Sequence, residues 1–293
     1  MSFDGFPSLR RGLILGAVLI CAGQVAFAQE RANRIIAIGN SVTEIVYELG
    51  QDRRLAGRDR TSTYPAEANG LPDIGYMRAL SPEGVLSVDP DMILSVEGAG
   101  PPEAIAVLEK ANVRYVPIPE VFTRDGIITK IRMVGAALDE VEAADALARR
   151  IGSEIDAAEA AAIDAIQGSP KRVMFILSIQ GGRIMASGTD TAADGIIRMS
   201  GGTNAVTGFS GYKPVTPEAV THAAPDVILM MDRGGDHGVA TAELFSIPAM
   251  MLTPAARTKT VVRMDGAHLL GFGPRTASAI TQLSDALSGG SES

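Results

Sequence analysis

The segment Asp73-Ile74-Gly75-Tyr76-Met77-Arg78-Ala79-Leu80 holds the residue types best suited to chemistry. Glycine at position 75 permits a backbone turn that other residues resist, one that pushes Tyr76 outward. Arg78 follows two residues later, close enough to stabilise a phenolate. An unperturbed tyrosine ionises near a pH of about 10, and adjacent positive charge lowers that value. A phenolate is a hard anionic oxygen suited to ferric iron, and tyrosine serves as an axial haem ligand. A half-buried packing role is the alternative for a lone tyrosine.

A second candidate group follows the apolar run that ends at Met231. Ligands of α/β proteins bind beyond the carboxyl ends of strands, where Arg233 is placed. Its planar guanidinium suits a carboxylate, against the plainer role of an exposed loop arginine. His237, in the same Gly-rich loop, is either a ligand contact or an ordinary loop residue. His222 reads as surface and His268 as structural. The three histidines are scattered, and no His-x-x-Glu-His spacing, Gly-x-Ser-x-Gly elbow, Walker loop or dinucleotide fingerprint is present. The sequence does not read as an enzyme.

A third pattern is a long-period echo. Ser81-Pro82-Glu83-Gly84-Val85 leading to Pro90-Asp91-Met92-Ile93-Leu94 returns as Thr216-Pro217-Glu218-Ala219-Val220 leading to Pro225-Asp226-Val227-Ile228-Leu229, offset by 135 residues. Such an echo predicts two similar lobes with a ligand cleft between them. Each copy opens a helix by the usual rules, with a hydroxyl residue at the N-cap, proline at the first position and an acid in the first turn. The helix dipole alone accounts for Glu83 and Glu218.

The elements that must position these groups alternate between strand and helix. Arg34 to Gly39 reads as a buried parallel strand, followed by a helix capped by Asn40-Ser41 and stopped by Gly50. Further strands are expected at Leu55-Ala56-Gly57, Met92 to Val96 and Val113 to Ile118. Helical patterns run from about Ile127 to Leu138 and from Val141 to Ile166, the latter long enough to span roughly 39 Å as a strut across two lobes. A strand at Arg172 to Leu177 and a Gly-rich turn restart the pattern. Then come a helix capped by Thr189-Asp190, the repeated helix, strands at Val227 to Met231 and Thr260 to Met264, and a last helix from Pro274-Arg275 to Leu287. The expected fold is α/β: two lobes with parallel-type sheets bridged by a long helix, with the ligand in the inter-lobe cleft. The expected divisions are 29–138, a linker helix over 139–168, and 169–293. One large doubly wound domain is the alternative.

Residues 1–28 belong to neither lobe. Arg10-Arg11, an apolar run from Gly12 to Ala22 and Ala26-Phe27-Ala28 read as a cleaved secretory signal peptide, which directs the chain to the periplasm. A lipid anchor on Cys21 is the competing reading, disfavoured by bulky Ile20. Cys21 is the single cysteine, so a chain starting at Gln29 has no disulfide and no thiolate ligand. That chain carries 24 basic and 33 acidic residues, a balance of −9 that argues against nucleic acid. It has no further long apolar stretch, and a soluble protein is expected.

The segment Gly75 to Gly84, preceded by Thr61-Ser62-Thr63-Tyr64-Pro65, resembles the periplasmic haem-binding proteins of bacterial haem ABC importers. Gly39 to Tyr47, Glu97 to Pro102 and Leu270-Gly271-Phe272-Gly273-Pro274-Arg275 fit the same family. The resemblance covers essentially the whole mature chain. It departs at Pro82, where family members often carry another small residue. It implies two α/β lobes joined by a rigid helix and a monomer that carries ferric haem b. Tyr76 is then the axial ligand to the iron, Arg78 lies beside the Tyr76 oxygen or a propionate, and Arg233 faces the haem. Tyr212 also matches a family position, and reads here as lobe surface or cleft rim. The resemblance further implies that Glu83 and Glu218 dock onto arginines of a two-fold permease dimer in the inner membrane. A ferric siderophore or a corrinoid is the alternative cargo; an exported α/β enzyme is the alternative of a different class.

Overall fold

Strand β1 (Ile35–Ile38) buries every side chain, so it needs cover on both faces. In the computed structural model, which describes residues 31–166, 168–232 and 240–289, it lies inside a parallel sheet. The order is β2-β1-β3-β4, with β2 at Leu55–Arg58, β3 at Met92–Val96 and β4 at Arg114–Ile118. The second sheet contains β5 (Arg172–Gln180), β6 (Arg183–Ser187), β7 (Thr203–Asn204), β8 (Tyr212–Val215), β9 (Val227–Asp232) and β10 (Val261–Asp265). Its order is β10-β9-β5-β6-β8, with β7 also paired to β5.

The duplication read from sequence is present in the strand registers. Ile35 lies opposite Met92 in the first sheet, and Val173 lies opposite Val227 in the second, both parallel. The echo reaches further than the Pro-Glu helices. Asp91 accepts backbone N–H groups of Asn33 and Arg34, while Asp226 accepts that of Arg172. Arg34 in turn donates to the carbonyls of Val88 and Asp89, and Arg172 to that of Ala223. The chain at or just past the end of each repeated helix is therefore held by an arginine at the start of the lobe's first strand, Arg34 immediately before β1 and Arg172 at the head of β5. Each helix is followed by a left-handed residue, Asp89 (φ 49°) and Ala224 (φ 41°). The place that β2 takes beside β1 is taken in the second sheet by β6, antiparallel to β5, and β8 pairs antiparallel with β6 beyond it. Gly181-Gly182, the expected Gly-rich turn, closes the β5–β6 hairpin with φ of 55° and 77°.

The helix expected across the lobes is Val141–Asp164, 24 residues or about 36 Å long. The Arg124–Ala137 helix of the first lobe and the chain's last helix, Thr276–Ser288, both pack along it. One apolar core runs through all three. It takes Ile35, Ala37, Met92 and Leu94 from the first sheet and Val173, Phe175, Val227 and Leu229 from the second. The alternate residues of the same strands, such as Ile36 and Ile93 or Met174 and Ile228, form separate outer cores.

Two helix starts differ from expectation. The first helix is Asn40–Glu48 and has no side-chain cap, because Gly39 occupies the N-cap position and Asn40 is already the first helical residue, its side-chain amide donating to Glu44. The Ala192–Met199 helix is capped by Thr191, whose hydroxyl accepts the Asp194 N–H at 3.0 Å, and not by Thr189-Asp190. No helix among the described residues is long and apolar enough to cross a membrane. Residues 1–28, including Cys21, lie outside the described residues, as do Arg233 and His237.

Candidate functional site

Tyr76 is presented by a loop clamped on both sides. Upstream, the Arg58 N–H donates to the Pro72 carbonyl, the Ile74 N–H to Arg58 and the Arg60 N–H to Gly75, at 2.8–3.1 Å. Gly75 adopts φ +108°, and its N–H donates to the Asp73 carboxylate at 2.8 Å. That bond, with the Arg60 guanidinium second, holds the Asp73 carboxyl below its ordinary pKa. Downstream, the Gly100 N–H donates to Met77 and the Leu80 N–H to Gly100, tying the loop to the exit of β3. Ile74 and Leu80 are buried at either end, and between them Tyr76 stands 41 % exposed. The expected outward turn at Gly75 is therefore present, and it rests on an Asp73 bond that the sequence reading did not use.

Arg78 lies on the same loop, exposed, and its charge acts on two groups, one in each lobe. One is Glu120, beyond the end of β4; the other is Tyr212, the first residue of β8 in the second lobe. Burial raises the Tyr212 pKa, opposed by hydrogen bonds from Thr191, the Ala193 backbone and Ser187, and by Arg78. The Tyr212 ring meets Phe175 edge-on, with centroids 6.2 Å apart. Tyr212 is thus braced within its own lobe and lies within reach of the Arg78 charge. The sequence did carry a signal for it: Gly211-Tyr212 before Thr216-Pro217-Glu218 echoes Gly75-Tyr76 before Ser81-Pro82-Glu83, and Gly211 also takes a positive φ of 82°.

Tyr76 stands on an open wall. A cavity of about 310 Å³ lies elsewhere, among Ala162, Ser200 and Leu287 at the far end of the long helix. The other sequence candidates separate by position. Glu83 and Glu218 are exposed and occupy the second residue of Pro82–Leu86 and Pro217–Ala223. Ser81 Oγ accepts the Gly84 N–H at 3.0 Å and Thr216 Oγ1 the Ala219 N–H at 3.2 Å, so the two caps match. The Glu218 backbone N–H and the Thr216 hydroxyl hold the Glu218 carboxyl below its usual value. His222 is exposed on its helix. His268 lies in the Gly266–Leu270 helix, with Nε2 2.6 Å from Ser278 Oγ, and burial lowers its pKa.

The profile of the periplasmic binding protein family matches residues 35–267, and the chain belongs to that family. Among solved structures it is similar to the periplasmic haem-binding protein BhuT in complex with two haems. Identity is 41 %, TM-score 0.82, with 87 % of this chain and 97 % of that one covered. It is also similar to the periplasmic haem-binding protein RhuT from Roseiflexus sp. RS-1, at 36 % identity and TM-score 0.82 over 88 % and 98 % of the two chains. More distant relatives include the ABC transporter substrate-binding lipoprotein YvrC of Bacillus subtilis, 23 % identical over 88 % of this chain and 81 % of the relative. The vitamin B12-binding protein of Pectobacterium atrosepticum is 23 % identical over 92 % and 94 %.

Proposed function

We propose that this member of the periplasmic binding protein family captures ferric haem in the periplasm and delivers it to an inner-membrane ABC transporter. The observation that carries the reading is the likeness to two haem-binding proteins at 41 % and 36 % identity over nearly their full lengths. The site chemistry supports it. Tyr76 projects from a clamped loop, with its ring 41 % exposed and a guanidinium two residues away. The phenolic oxygen of Tyr76 is a hard donor of the kind that holds ferric iron. In this reading Arg78 serves either the Tyr76 oxygen or a propionate. Tyr212, on the opposite wall, is engaged by its own lobe.

Arg233 and His237 keep their sequence-based roles in this reading, Arg233 as a haem-facing guanidinium and His237 as a ligand contact. Glu83 and Glu218 are the docking contacts, one per lobe, for a two-fold permease dimer. The protein acts as a monomer without catalytic turnover, after removal of residues 1–28, and the lobes divide as 29–138 and 169–293 around the linker helix.

Titration of the protein with ferric haem, followed by visible absorption, tests cargo and ligand together. A high-spin tyrosinate-type spectrum is expected, and it is lost in Tyr76→Phe. If that variant keeps the spectrum and the affinity, the ligand assignment fails. Kinship with vitamin B12-binding proteins supports a second reading, a corrinoid cargo. Cobalamin that binds while haem does not decides for it.

A further inference from the structure

The two lobes lend each other a cation. Lys130, wholly buried on the first lobe's Arg124–Ala137 helix, donates to the carbonyl of Phe272 in the second lobe at 2.9 Å. Its other two protons go to Ser41 Oγ at 3.0 Å and Glu120 Oε1 at 2.6 Å, so the ammonium is fully satisfied. Arg275, just before the second lobe's last helix, returns the contact. Its Nε and Nη2 reach the two carboxylate oxygens of Glu44 at 3.0 and 2.6 Å. Glu44 is on the first lobe's first helix, and its side chain is 4 % exposed. The Tyr64 ring covers the guanidinium, 3.7 Å from it.

Between the two cations the chain is wedged. A Cβ at Gly273 would stand 2.9 Å from the Ser41 Cβ, so only glycine allows this approach. Phe272 takes φ 45°, a conformation that a bulky residue keeps only when its surroundings enforce it. Its ring meets Phe122 of the first lobe edge-on at 5.2 Å. Parting the lobes would strand Glu44 from Arg275 in a poorly polarisable interior and take the Lys130 donor from the Phe272 carbonyl, so these contacts resist partial opening.

We propose that this reciprocal exchange of Lys130 and Arg275 is a lock that fixes the angle between the lobes. It thereby sets the spacing of the cleft walls, Tyr76 and Arg78 on one side and Tyr212 on the other. Arg275 and Lys130 are then positioning residues for ligand retention, acting through the walls and not by touching the cargo. The lock is a statement about the lobes themselves; only its effect on retention rests on the haem reading.

The test is a distance measurement. In the full chain with Cys21→Ser, spin labels are placed at Val107→Cys and Met251→Cys, positions 50 % and 58 % exposed on the first and second lobes. One narrow distance peak is expected without ligand. Arg275→Gln and Glu44→Gln are each expected to broaden it, and the double variant to broaden it no further, since both remove one contact. Haem release from Arg275→Gln is expected to quicken on the order of tenfold, a common size for coupling between separate sites. The spectrum of bound haem is expected to stay as it was, because Tyr76 is intact. A peak that stays narrow in both single variants overturns the lock. If Arg275→Gln does not fold, Tyr64→Ala, which uncovers one side of the guanidinium, is read instead. Slight broadening there supports the proposal, and an unchanged peak overturns it. Because the distance is read without ligand, a protein that binds no haem can still show the lock, and the two readings can fail separately.

Discussion

The two lobes share a frame and differ in what stands before the repeated helix. In the first, Gly75-Tyr76 belongs to an irregular loop pinned to the exits of β2 and β3, and the tyrosine stands 41 % exposed. In the second, Gly211-Tyr212 opens β8, which is zipped antiparallel to β6, and the tyrosine is partly buried against Thr191, Ser187 and Ala193. The same dipeptide, with the same sign of φ at its glycine, gives one free phenol and one engaged phenol. The β6–β8 pairing accounts for the difference. The exteriors match, and the surfaces that carry the two tyrosines do not.

The largest expected effect tests that inequality directly. Tyr76→Phe is expected to weaken haem binding by more than about 100-fold, beyond the range for loss of a metal site's outer partners. Tyr212→Phe is expected to cost less than about tenfold, and equal losses in a haem titration would erase the distinction. The exterior symmetry predicts the opposite pattern for the acids. Glu83→Lys and Glu218→Lys are each expected to weaken transporter docking by roughly tenfold, the loss an interface residue commonly carries, with haem binding unchanged. Uptake assays in which one variant is silent would show that a single lobe docks.

Smaller effects test the shared frame. Arg34→Ala and Arg172→Ala each free the chain at or just past the end of a repeated helix and are expected to cost about 1–3 kcal/mol in denaturant melts. A large disparity between them would mean that the clasps only look alike. The smallest effect concerns Asp73, whose pKa is depressed in the fold by the Gly75 N–H. A depressed carboxylate adds stability above its unfolded pKa and loses it as pH falls through the folded value. The Tyr76 loop is therefore expected to loosen only in acid, below the ordinary carboxylate range. Asp73→Asn removes that dependence, which amide exchange at Gly75 and Tyr76 would report. The second lobe's Tyr212, held by hydroxyls and a backbone N–H, is expected to show no such step.

What the sequence made legible was whatever repeats or is local. The Pro-Glu helices, the strands that follow them and the Gly75 turn are set by neighbouring residues, and each is where the pattern placed it. The β5–β6 hairpin was half visible, since Gly181-Gly182 announced a turn but the Arg183–Ser187 run is too short and mixed to declare a strand. Lys130 was not legible. On a helix pattern it reads as a solvated lysine, and its acceptors come from positions 41, 120 and 272. Arg275 and Glu44 likewise meet only because the chain's end folds back on its beginning. Asn40 fails as a cap because the helix starts one residue earlier than the pattern suggests, with Gly39 at the N-cap and Asn40 inside the first turn.

The single core threading both sheets and the long helix has a consequence for how the molecule comes apart. Where two halves own separate interiors, heat can melt one and leave the other standing. Here the inner faces of both sheets and the Val141–Asp164 helix belong to one continuous core, so melting either half exposes the interior of its neighbour. The molecule should absorb heat in one calorimetric peak, and a protease should find it whole or find it unfolded, with no surviving half.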